Sequence, residues 1–317
     1  MHWSIHELNT PNKGWCKTLG ELVRNTGETP LVPDEKVISP WGEAWAAFKR
    51  NRLAMVGLGI VLFFIVLALL APLIAPYGYK EVSLTDRLKP PSAEHWFGTD
   101  DFGRDILSRI LYGARISLSV GFFSVLGSVI VGSIMGLVAG YYGGWLDTII
   151  SRFFDILLAF PSILLAIAII SILGPSLQNA LIAIAIINVP NFGRLIRSRV
   201  LSVKQEEYIM AANAIGMKDS RIIFRHILPN SMTPIIVQAT LAIATAIIEA
   251  AALGFLGLGA QAPTPEWGKM LADSKGFLVQ APGTLFFPGL AIMLTVLGFN
   301  LLGDGLRDAL DPKMKQR

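Results

Sequence analysis

The chain has 317 residues, of which 53% are hydrophobic and only 16% are charged, whereas charged residues make up about a quarter of a typical soluble domain. Its net charge of +4 is more typical of basic residues that flank membrane spans than of nucleic-acid binding, and its single cysteine, Cys16, excludes a disulfide framework. Uncharged apolar runs exceed the roughly 18 residues that mark a membrane span, so the composition predicts an all-α membrane protein.

Residues 1–52 form a polar tail that lacks the apolar core of a signal peptide. The tail ends in a short amphipathic piece over 41–52, whose last residues are mostly basic. Basic residues beside a span favour the cytoplasm, so the tail is predicted to be cytoplasmic. The uncharged run over 53–79 is predicted to be the first transmembrane helix.

Residues 80–115 are polar and carry both acidic and basic side chains, so this segment is predicted to be an extracytoplasmic loop. Its second half, 103–115, places Ile106 and Ile110 at helical spacing with Arg109 between them. This pattern predicts an amphipathic helix that lies along the membrane surface.

The core over 116–303 is predicted to contain five more transmembrane helices, which makes six in all. The first of the five carries Gly132, Gly136 and Gly140 on one face, and this predicts close packing against a neighbouring helix. The uncharged run 156–193 is too long for a single crossing and contains the turn signal Gly174-Pro175. The predicted helices lie over 116–146, 149–173, 177–196, 231–260 and 284–303, and a tail over 304–317 follows them.

Lysines and arginines are more numerous on the side that holds both ends of the chain and the loop 194–230 than on the opposite side. By the positive-inside rule, both termini and this loop are predicted to be cytoplasmic. The first outer loop also carries basic residues, but its acidic residues and its length make it translocatable.

The chain carries no recognisable catalytic motif. There is no phosphate-binding loop and no His-Glu-x-x-His motif, and the 4 histidines are scattered along the chain. The glycine-rich stretch 254–259 lacks a phosphate-binding lysine and follows a predicted membrane helix, so it is predicted to be a helix-end packing feature. The sequence therefore predicts no catalytic residue, no metal site and no cofactor bound by this chain.

The informative segment is the basic loop over 204–230, whose pattern predicts two short helices joined at a glycine. Ala211 and Ala212 are small enough for close packing, Gly216 permits a turn with positive φ, and Pro229 can begin or end a helix. A helix pair of this kind can dock into another protein. A basic hairpin that only fixes the membrane topology accounts for the same residues, so both interpretations stay open.

This loop resembles the one shared by permease subunits of binding-protein-dependent ABC importers, where two alanines, a glycine and a proline recur at this spacing. Met210 stands where that pattern usually has glutamate, and His226 stands where isoleucine is usual, which fits the peptide-importer branch. The resemblance extends from about residue 41 to the end of the chain and is to the second permease subunit of dipeptide and oligopeptide importers. The similar segments are 95–105, 112–118, 251–259, 265–268 and 303–313.

The resemblance implies a pore subunit of an ATP-driven importer in a bacterial or archaeal cytoplasmic membrane, which hydrolyses no ATP itself. It implies half of a translocation path for di- or oligopeptides or, alternatively, for nickel chelates, glutathione or another small solute. The implied partners are a homologous permease subunit, two ATPase subunits that carry ATP and Mg²⁺, an extracytoplasmic substrate-binding protein and the lipid bilayer. Two other classes of protein are alternatives. A membrane-embedded enzyme would need a nucleophile or paired acids inside the bundle, which the sequence does not supply. A helical scaffold stays possible but does not predict the helix–glycine–helix loop.

The resemblance also assigns residues of the loop to the contact with the ATPase subunit. Arg221 and Arg225 are expected either at the rim of the ATPase groove or on phospholipid headgroups. The predicted ATPase contacts are Glu207, Ala211, Ala212, Gly216, Met217, Lys218, Asp219, Arg225 and Pro229.

Glu249 is an ionisable residue inside a predicted span, where a charged group costs about 2.5–3.5 kcal/mol on insertion scales, so it should face protein or water. It either lines the translocation path and meets the ammonium end of a peptide, or it forms a structural hydrogen bond between helices. Asp155, Asn188 and Asn191 are predicted to lie near helix ends.

Residues on the outer side are candidates for contact with the substrate-binding protein. Arg104, Asp105 and Arg109 belong to the predicted amphipathic helix, where an ordinary solvated charged face accounts for them equally well. Glu266 and Trp267 lie in a second outer loop, although a tryptophan at the headgroup level is also an ordinary membrane anchor.

Overall fold

The computed structural model describes residues 40–310, nearly all of them within one compact unit that begins at Ala44. This part of the chain is helical almost throughout and contains no β-strand, only an isolated bridge between Thr99 and Asp105. The predictions made for residues 1–39 and 311–317 lie outside the described residues.

The helices are numbered in chain order. A π-helical turn over Ile223–Ile227 joins α8 to α9, and short 3₁₀ turns lie at Leu84–Asp86 and Lys275–Phe277. The helices are α1 (Pro40–Arg50), α2 (Arg52–Ile74), α3 (Ile106–Tyr142), α4 (Gly144–Leu158), α5 (Ser162–Leu173), α6 (Leu177–Val203), α7 (Glu207–Ala214), α8 (Asp219–Ile222), α9 (Leu228–Phe255), α10 (Trp267–Ser274) and α11 (Gly283–Leu310).

Within the described chain, 5 stretches of helix are long and apolar enough to cross a membrane, namely α2, α3, α6, α11 and the continuous run from α8 to α9. The pair α4 and α5 supplies a sixth span if the pair is taken as one crossing. The predicted all-α membrane fold is therefore confirmed, with the predicted count of six reached when the bent pair is one span.

The single helix predicted over 149–173 is interrupted in the structure, because α4 and α5 meet at an angle of 94°. α4 ends at Leu158, and Pro161 occupies the position just before α5. Proline has no backbone N–H and disfavours the helical conformation in the residue before it, here Phe160, so the helix breaks at this point.

α2 is shorter than the span predicted over 53–79. The helix ends at Ile74, and Ala75 adopts an extended conformation with a ψ of 124°. The cause is Pro76, which disfavours the helical conformation in the residue that precedes it. Residues 75–105, called the outer segment after the side predicted from the sequence, lead to the start of α3.

The helix predicted over 103–115 is not a separate surface element. The helical spacing is real, but the helix begins at Ile106 as the first turns of α3 and continues without a break to Tyr142. Asp105 caps its start, since its carboxylate accepts a hydrogen bond from the backbone N–H of Ser108 at 2.7 Å. No proline interrupts residues 106–142, so the predicted surface helix and the next span merge into one helix.

The close contact predicted along the glycine face of α3 is confirmed, and the neighbouring helix is α6. A Cβ atom on Gly132 would lie 2.7 Å from the carbonyl oxygen of Val189, and one on Gly140 would lie 2.9 Å from the side chain of Val200. These distances leave no room for a side chain, so the two backbones pack directly against each other.

α2, α9 and α11 pack together as the rest of the bundle, and small residues again set the closest approaches. A Cβ atom on Gly57 of α2 would lie 2.7 Å from the backbone nitrogen of Leu302 in α11. The bundle has two ends. The hairpin end holds Tyr142 and the segment 204–230, and the loop end holds Ile106 and the outer segment.

Candidate functional site

The candidate site is the hairpin over residues 204–230, which connects α6 to α9. As predicted, Gly216 reverses the chain between α7 and α8, and its φ is +74°. The N–H of Met217 donates to the carbonyl oxygen of Ala212 at 3.1 Å, and the N–H of Gly216 donates to that of Asn213 at 3.0 Å. Glycine suits this helix end because it adopts the left-handed conformation without a side-chain clash.

The inner face of the hairpin is apolar and packs on the bundle. Ile209 and Ala212 of α7 and Ile222 of α8 are buried there. They share one cluster with Tyr141 of α3 and Ile196 of α6. Burial of a branched apolar side chain contributes about 1.5–3 kcal/mol, so this cluster holds the hairpin as a rigid extension of the bundle.

Hydrogen bonds also hold the hairpin in place. The Tyr141 hydroxyl donates to Asp219 Oδ1 at 2.7 Å, and Lys204 Nζ donates to the backbone oxygen of Tyr141 at 2.7 Å. Asn230 Nδ2 donates to the hydroxyl oxygen of Tyr208 at 3.0 Å, which links α9 to α7. Both ends of the hairpin are therefore anchored.

The outer face of the hairpin exposes large apolar side chains. Ile215 is 78% exposed and Phe224 is 69% exposed, and Tyr208 and Met210 are exposed as well. These four residues are called the hairpin surface below. They were not predicted from the sequence, although they are the large apolar residues that remain once the inner face is assigned. Exposed apolar side chains of this kind are typical of a surface that contacts another protein or a membrane.

The predicted ATPase contacts are divided between the two faces. Ala212 is buried because it follows Ile209 by about one helical turn, and Met217 packs against the same inner cluster. The burial of Ala212 contradicts the prediction that it faces a partner, whereas Met217 is partly exposed and its contact with an ATPase subunit stays a prediction. The other predicted contacts are exposed, namely Glu207, Ala211, Gly216, Lys218, Asp219, Arg225 and Pro229.

Glu249 joins α9 to α6 inside the bundle. Asn188 Nδ2 donates to Glu249 Oε2 at 3.1 Å and to the carbonyl oxygen of Ile184 at 3.0 Å. The prediction that Asn188 and Asn191 lie near a helix end is wrong, because α6 extends to Val203. The hydrogen bond is the one expected of a structural glutamate, and Glu249 is only half-buried, so its role in a path stays a prediction.

Ion pairs that sequence analysis missed join α4 to α6. Arg194 Nη2 lies 2.7 Å from Asp155 Oδ1, and Arg197 Nη2 lies 2.7 Å from Asp147 Oδ2. Asp155 lies near the end of α4, as predicted. The pairs fix the first half of the bent α4–α5 pair against the last turns of α6, next to the hairpin.

At the loop end, the charged residues predicted to contact a binding protein are buried. The side chain of Arg104 is 6% exposed and that of Arg109 is 3% exposed. Arg104 Nε donates to Asp100 Oδ2 at 2.6 Å, and Arg109 Nε lies 3.5 Å from the same oxygen. Asp105 Oδ1 lies 3.0 Å from His95 Nδ1. The structure contradicts both the solvated charged face and the exposed landing surface, because these charges are desolvated and paired within the chain.

Glu266 and Trp267 are also buried, which contradicts the surface roles predicted for them. The Glu266 carboxylate caps α10, since it accepts hydrogen bonds from the N–H groups of Gly268 and Lys269, each at 2.8 Å. Burial raises the pKa of this carboxyl group, against the lowering effect of those hydrogen bonds. The Trp267 indole N–H donates to the carbonyl oxygen of Ile110 at 3.2 Å, so α10 is fastened to α3.

The glycine-rich stretch 254–259 is a helix end, as predicted. α9 ends at Phe255, and Gly257 follows with a φ of +80°. Gly254 lies so close to the Glu266 carboxylate that a Cβ atom would collide with Oε2. These glycines let the chain turn and let α10 approach α9.

Known proteins match this chain along most of its length. Residues 128–316 match the family described as binding-protein-dependent transport system inner membrane component. Residues 39–91 match the N-terminal TM domain of oligopeptide transport permease C.

Individual relatives cover most of the chain. It is 69% identical over 278 residues to the dipeptide transport system permease protein DppC of Alkalihalophilus pseudofirmus. This match covers 88% of this chain and 91% of that protein. It is 50% identical over 287 residues to the glutathione transport system permease protein GsiD of Pectobacterium atrosepticum. This match covers 90% of this chain and 95% of that protein.

A solved structure shows the same fold. The inward-facing MetNI methionine ABC transporter matches with a TM-score of 0.53 and 19% identity, over 64% of this chain and 97% of that chain. Together with the family and the relatives, this likeness leads to one conclusion. The chain belongs to the family of binding-protein-dependent transport system inner membrane components, the membrane permeases of ABC importers.

Proposed function

We propose that this chain is one of two permease subunits of an ATP-driven peptide importer, that it forms half of the translocation path, and that its hairpin docks on an ATPase subunit. The hairpin surface is the observation that carries the proposal, because large apolar side chains stand exposed on a rigid base. Such a helical element fits a hydrophobic groove of another protein. In this proposal two ATPase subunits bind ATP and Mg²⁺, and this chain binds neither.

The hairpin end is cytoplasmic in this proposal, since ATP is available there. The excess of lysine and arginine around the loop 194–230 supports this orientation. The loop end then faces the outside, where a separate binding protein delivers the substrate. Because Arg104 and Arg109 are buried, we assign that contact to exposed aromatic residues of the outer segment, such as Trp96 and Phe102.

The proposed substrate is a di- or oligopeptide. The relative that is 69% identical is named for dipeptide transport, and this supports the assignment. The relative that is 50% identical is named for glutathione, which is itself a short peptide, so glutathione is the second candidate. Glu249 would meet the ammonium group of such a substrate in the path.

Aspartate substitutions at Ile215 and Phe224 test the contact with the ATPase subunit. A charge at either position stays in water on the free hairpin but would be buried in the complex. Loss of a central hot-spot contact costs about 2 kcal/mol or more, which is about 30-fold in affinity, so we expect uptake of a labelled dipeptide to fall by about that factor. The ATPase subunits should also be lost when the substituted permease is purified from the membrane.

The matched control is Val279→Asp, which places the same charge on a residue that is 96% exposed before α11, at the loop end. This variant should retain the ATPase subunits. Normal retention of the ATPase subunits by both hairpin variants would refute the docking role. Competition between the labelled dipeptide and excess glutathione, measured in the same cells, distinguishes the two substrate candidates.

A further inference from the structure

We infer that α3 is the lever that carries motion from the hairpin to the loop end, and that Tyr141 is the positioning residue through which the hairpin moves it. The inference rests on the proposed contact between the hairpin and an ATPase subunit. It names the route by which a displacement of the hairpin is transmitted to the loop end of the bundle.

α3 is one continuous helix and is called the rod below. Its 37 residues make a helix about 55 Å long, well beyond the roughly 30 Å of bilayer hydrocarbon, so it reaches from one end of the bundle to the other. It contains no proline, whereas the other long helices of the described chain contain Pro72, Pro190, Pro234 and Pro288. Since proline removes a helical hydrogen bond and bends the helix, α3 is the one among them without such a break.

Both covalent routes from the hairpin into the bundle are interrupted by comparison, and α6, which leads into the hairpin, contains Pro190. α8 continues into α9 through the π-helical turn Ile223–Ile227, and Pro229 and Pro234 follow at the start of α9. A π turn and prolines both weaken the hydrogen-bond ladder of a helix. A push on the hairpin therefore bends this segment before it displaces the rest of α9.

Tyr141 supplies the stiffer route. It lies one residue before the end of α3 and is buried in the inner cluster together with Ile209 and Ile222 of the hairpin. Its hydroxyl donates to Asp219 at the start of α8, and its backbone oxygen accepts from Lys204 at the end of α6. Lys204 Nζ also lies 5.3 Å from the centre of the Tyr141 ring. These contacts fasten the hairpin to the end of the rod.

The other end of α3 is fastened to α10. Trp267 is fully buried, and its indole and backbone N–H groups donate to the Ile110 carbonyl oxygen at 3.2 Å and the Ser117 hydroxyl oxygen at 3.3 Å. Gly113 lies against the same ring, where a Cβ atom would be 2.8 Å from Trp267 Cδ1. A displacement of α3 therefore moves α10 as well, and the motion reaches the loop end.

The test follows two distances in the complete transporter by double electron–electron resonance. The single native cysteine is removed by Cys16→Ser, and spin labels are attached to pairs of introduced cysteines at exposed positions. Asn213 and Leu53 report the position of the hairpin relative to the start of α2. Arg115 and Leu73 report the position of the outer part of α3 relative to the end of α2. Each pair is measured without nucleotide and with ATP and vanadate.

Tyr141→Phe removes the hydroxyl that binds Asp219 and keeps the ring. With ATP, we expect the Asn213–Leu53 distance to change as it does in the unsubstituted transporter. We expect the fraction of molecules with a changed Arg115–Leu73 distance to fall about tenfold, which is the factor for losing a hydrogen bond to a charged group. Tyr142→Phe is the control, because Tyr142 is exposed, and it should leave both responses unchanged.

A loop-end distance that responds fully to ATP in the Tyr141→Phe transporter would overturn the lever. Asp219 is also a predicted ATPase contact, so Asp219→Ala is compared only where the Asn213–Leu53 distance still responds fully to ATP. It should then reproduce the Tyr141→Phe effect, and the two substitutions together should add nothing, since they remove the same bond. Additive effects of the pair would also overturn it. If ATP leaves the Asn213–Leu53 distance unchanged even in the unsubstituted transporter, the ATPase contact itself is wrong, and the lever is overturned with it.

Discussion

The hairpin and the outer segment both lie outside the apolar core of the spans, yet their side chains are used in opposite ways. At the loop end, charge is buried, since Arg104 and Arg109 lie against Asp100. The hairpin instead exposes Ile215 and Phe224. Charges that are paired within the chain fix its architecture, whereas exposed apolar surface is typical of a contact with another protein or a membrane. In this protein a charged residue is therefore not by itself a sign of a docking surface.

The largest effect that tests this contrast is expected on stability at the loop end. Arg104→Met keeps much of the side-chain volume but removes the closest partner of the Asp100 carboxylate, whose side chain is 13% exposed. Removal of one partner of a buried ion pair costs about 3–5 kcal/mol, so we expect the free energy of unfolding to fall by about 3 kcal/mol. Thermal unfolding of the purified permease in detergent measures this loss.

Arg152→Met is the control for this substitution. The side chain of Arg152 is 77% exposed and lies 3.6 Å from Asp155, so its removal should cost about 0–1 kcal/mol. Equal losses from the two substitutions would show that the charges at the loop end do not fix its architecture. The contrast with the hairpin would then disappear.

The features predicted correctly from the sequence are those that a short stretch of chain determines. Gly132, Gly136 and Gly140 share a helix face because of the helical repeat, and the contact with α6 follows from their size alone. The turn at Gly216 and the membrane spans are likewise properties of local residue type. The break between α4 and α5 was also readable, because Pro161 lies inside the predicted helix 149–173.

The burial of Arg104 and Trp267 could not be predicted, because it depends on segments that are distant in the chain. Trp267 is buried against Ile110, and the spacing of Asp100 and Arg104 is equally typical of an exposed ion pair. The hairpin surface could have been predicted in principle. Its residues fall outside the inner-face positions of α7 and α8. The predicted ATPase contacts, however, were based on the small residues of the loop.

A smaller effect, within the hairpin, tests how rigid its base is. Gly216→Ala introduces a side chain at a φ of +74° where no other atom lies within 4 Å, so the cost is conformational. It should be about 1–2 kcal/mol and should accelerate hydrogen exchange of the α7 and α8 amides by about 5–30-fold. Gly276→Ala is the control at the loop end, where space is also open and φ is not positive. Unchanged exchange in Gly216→Ala would show that the turn is not fixed by the bundle.

The smallest effect concerns Glu266, the buried carboxylate that holds α10 at the loop end. Burial raises its pKa above the ordinary glutamate value of 4.5, so the folded protein binds this proton more tightly than the unfolded chain does. Its contribution to stability is therefore complete below the ordinary pKa and is lost as the pH rises through the raised pKa. Over that window the unsubstituted permease should lose about 1.4 kcal/mol per pH unit relative to Glu266→Gln, measured by thermal unfolding from about pH 4 to about pH 7.

The glutamine variant loses one accepted N–H bond at every pH, which shifts its stability by a constant and leaves the slope as the signal. Parallel pH profiles of the two proteins would show that this carboxylate is solvated, and the loop end would then resemble the hairpin more than the structure indicates.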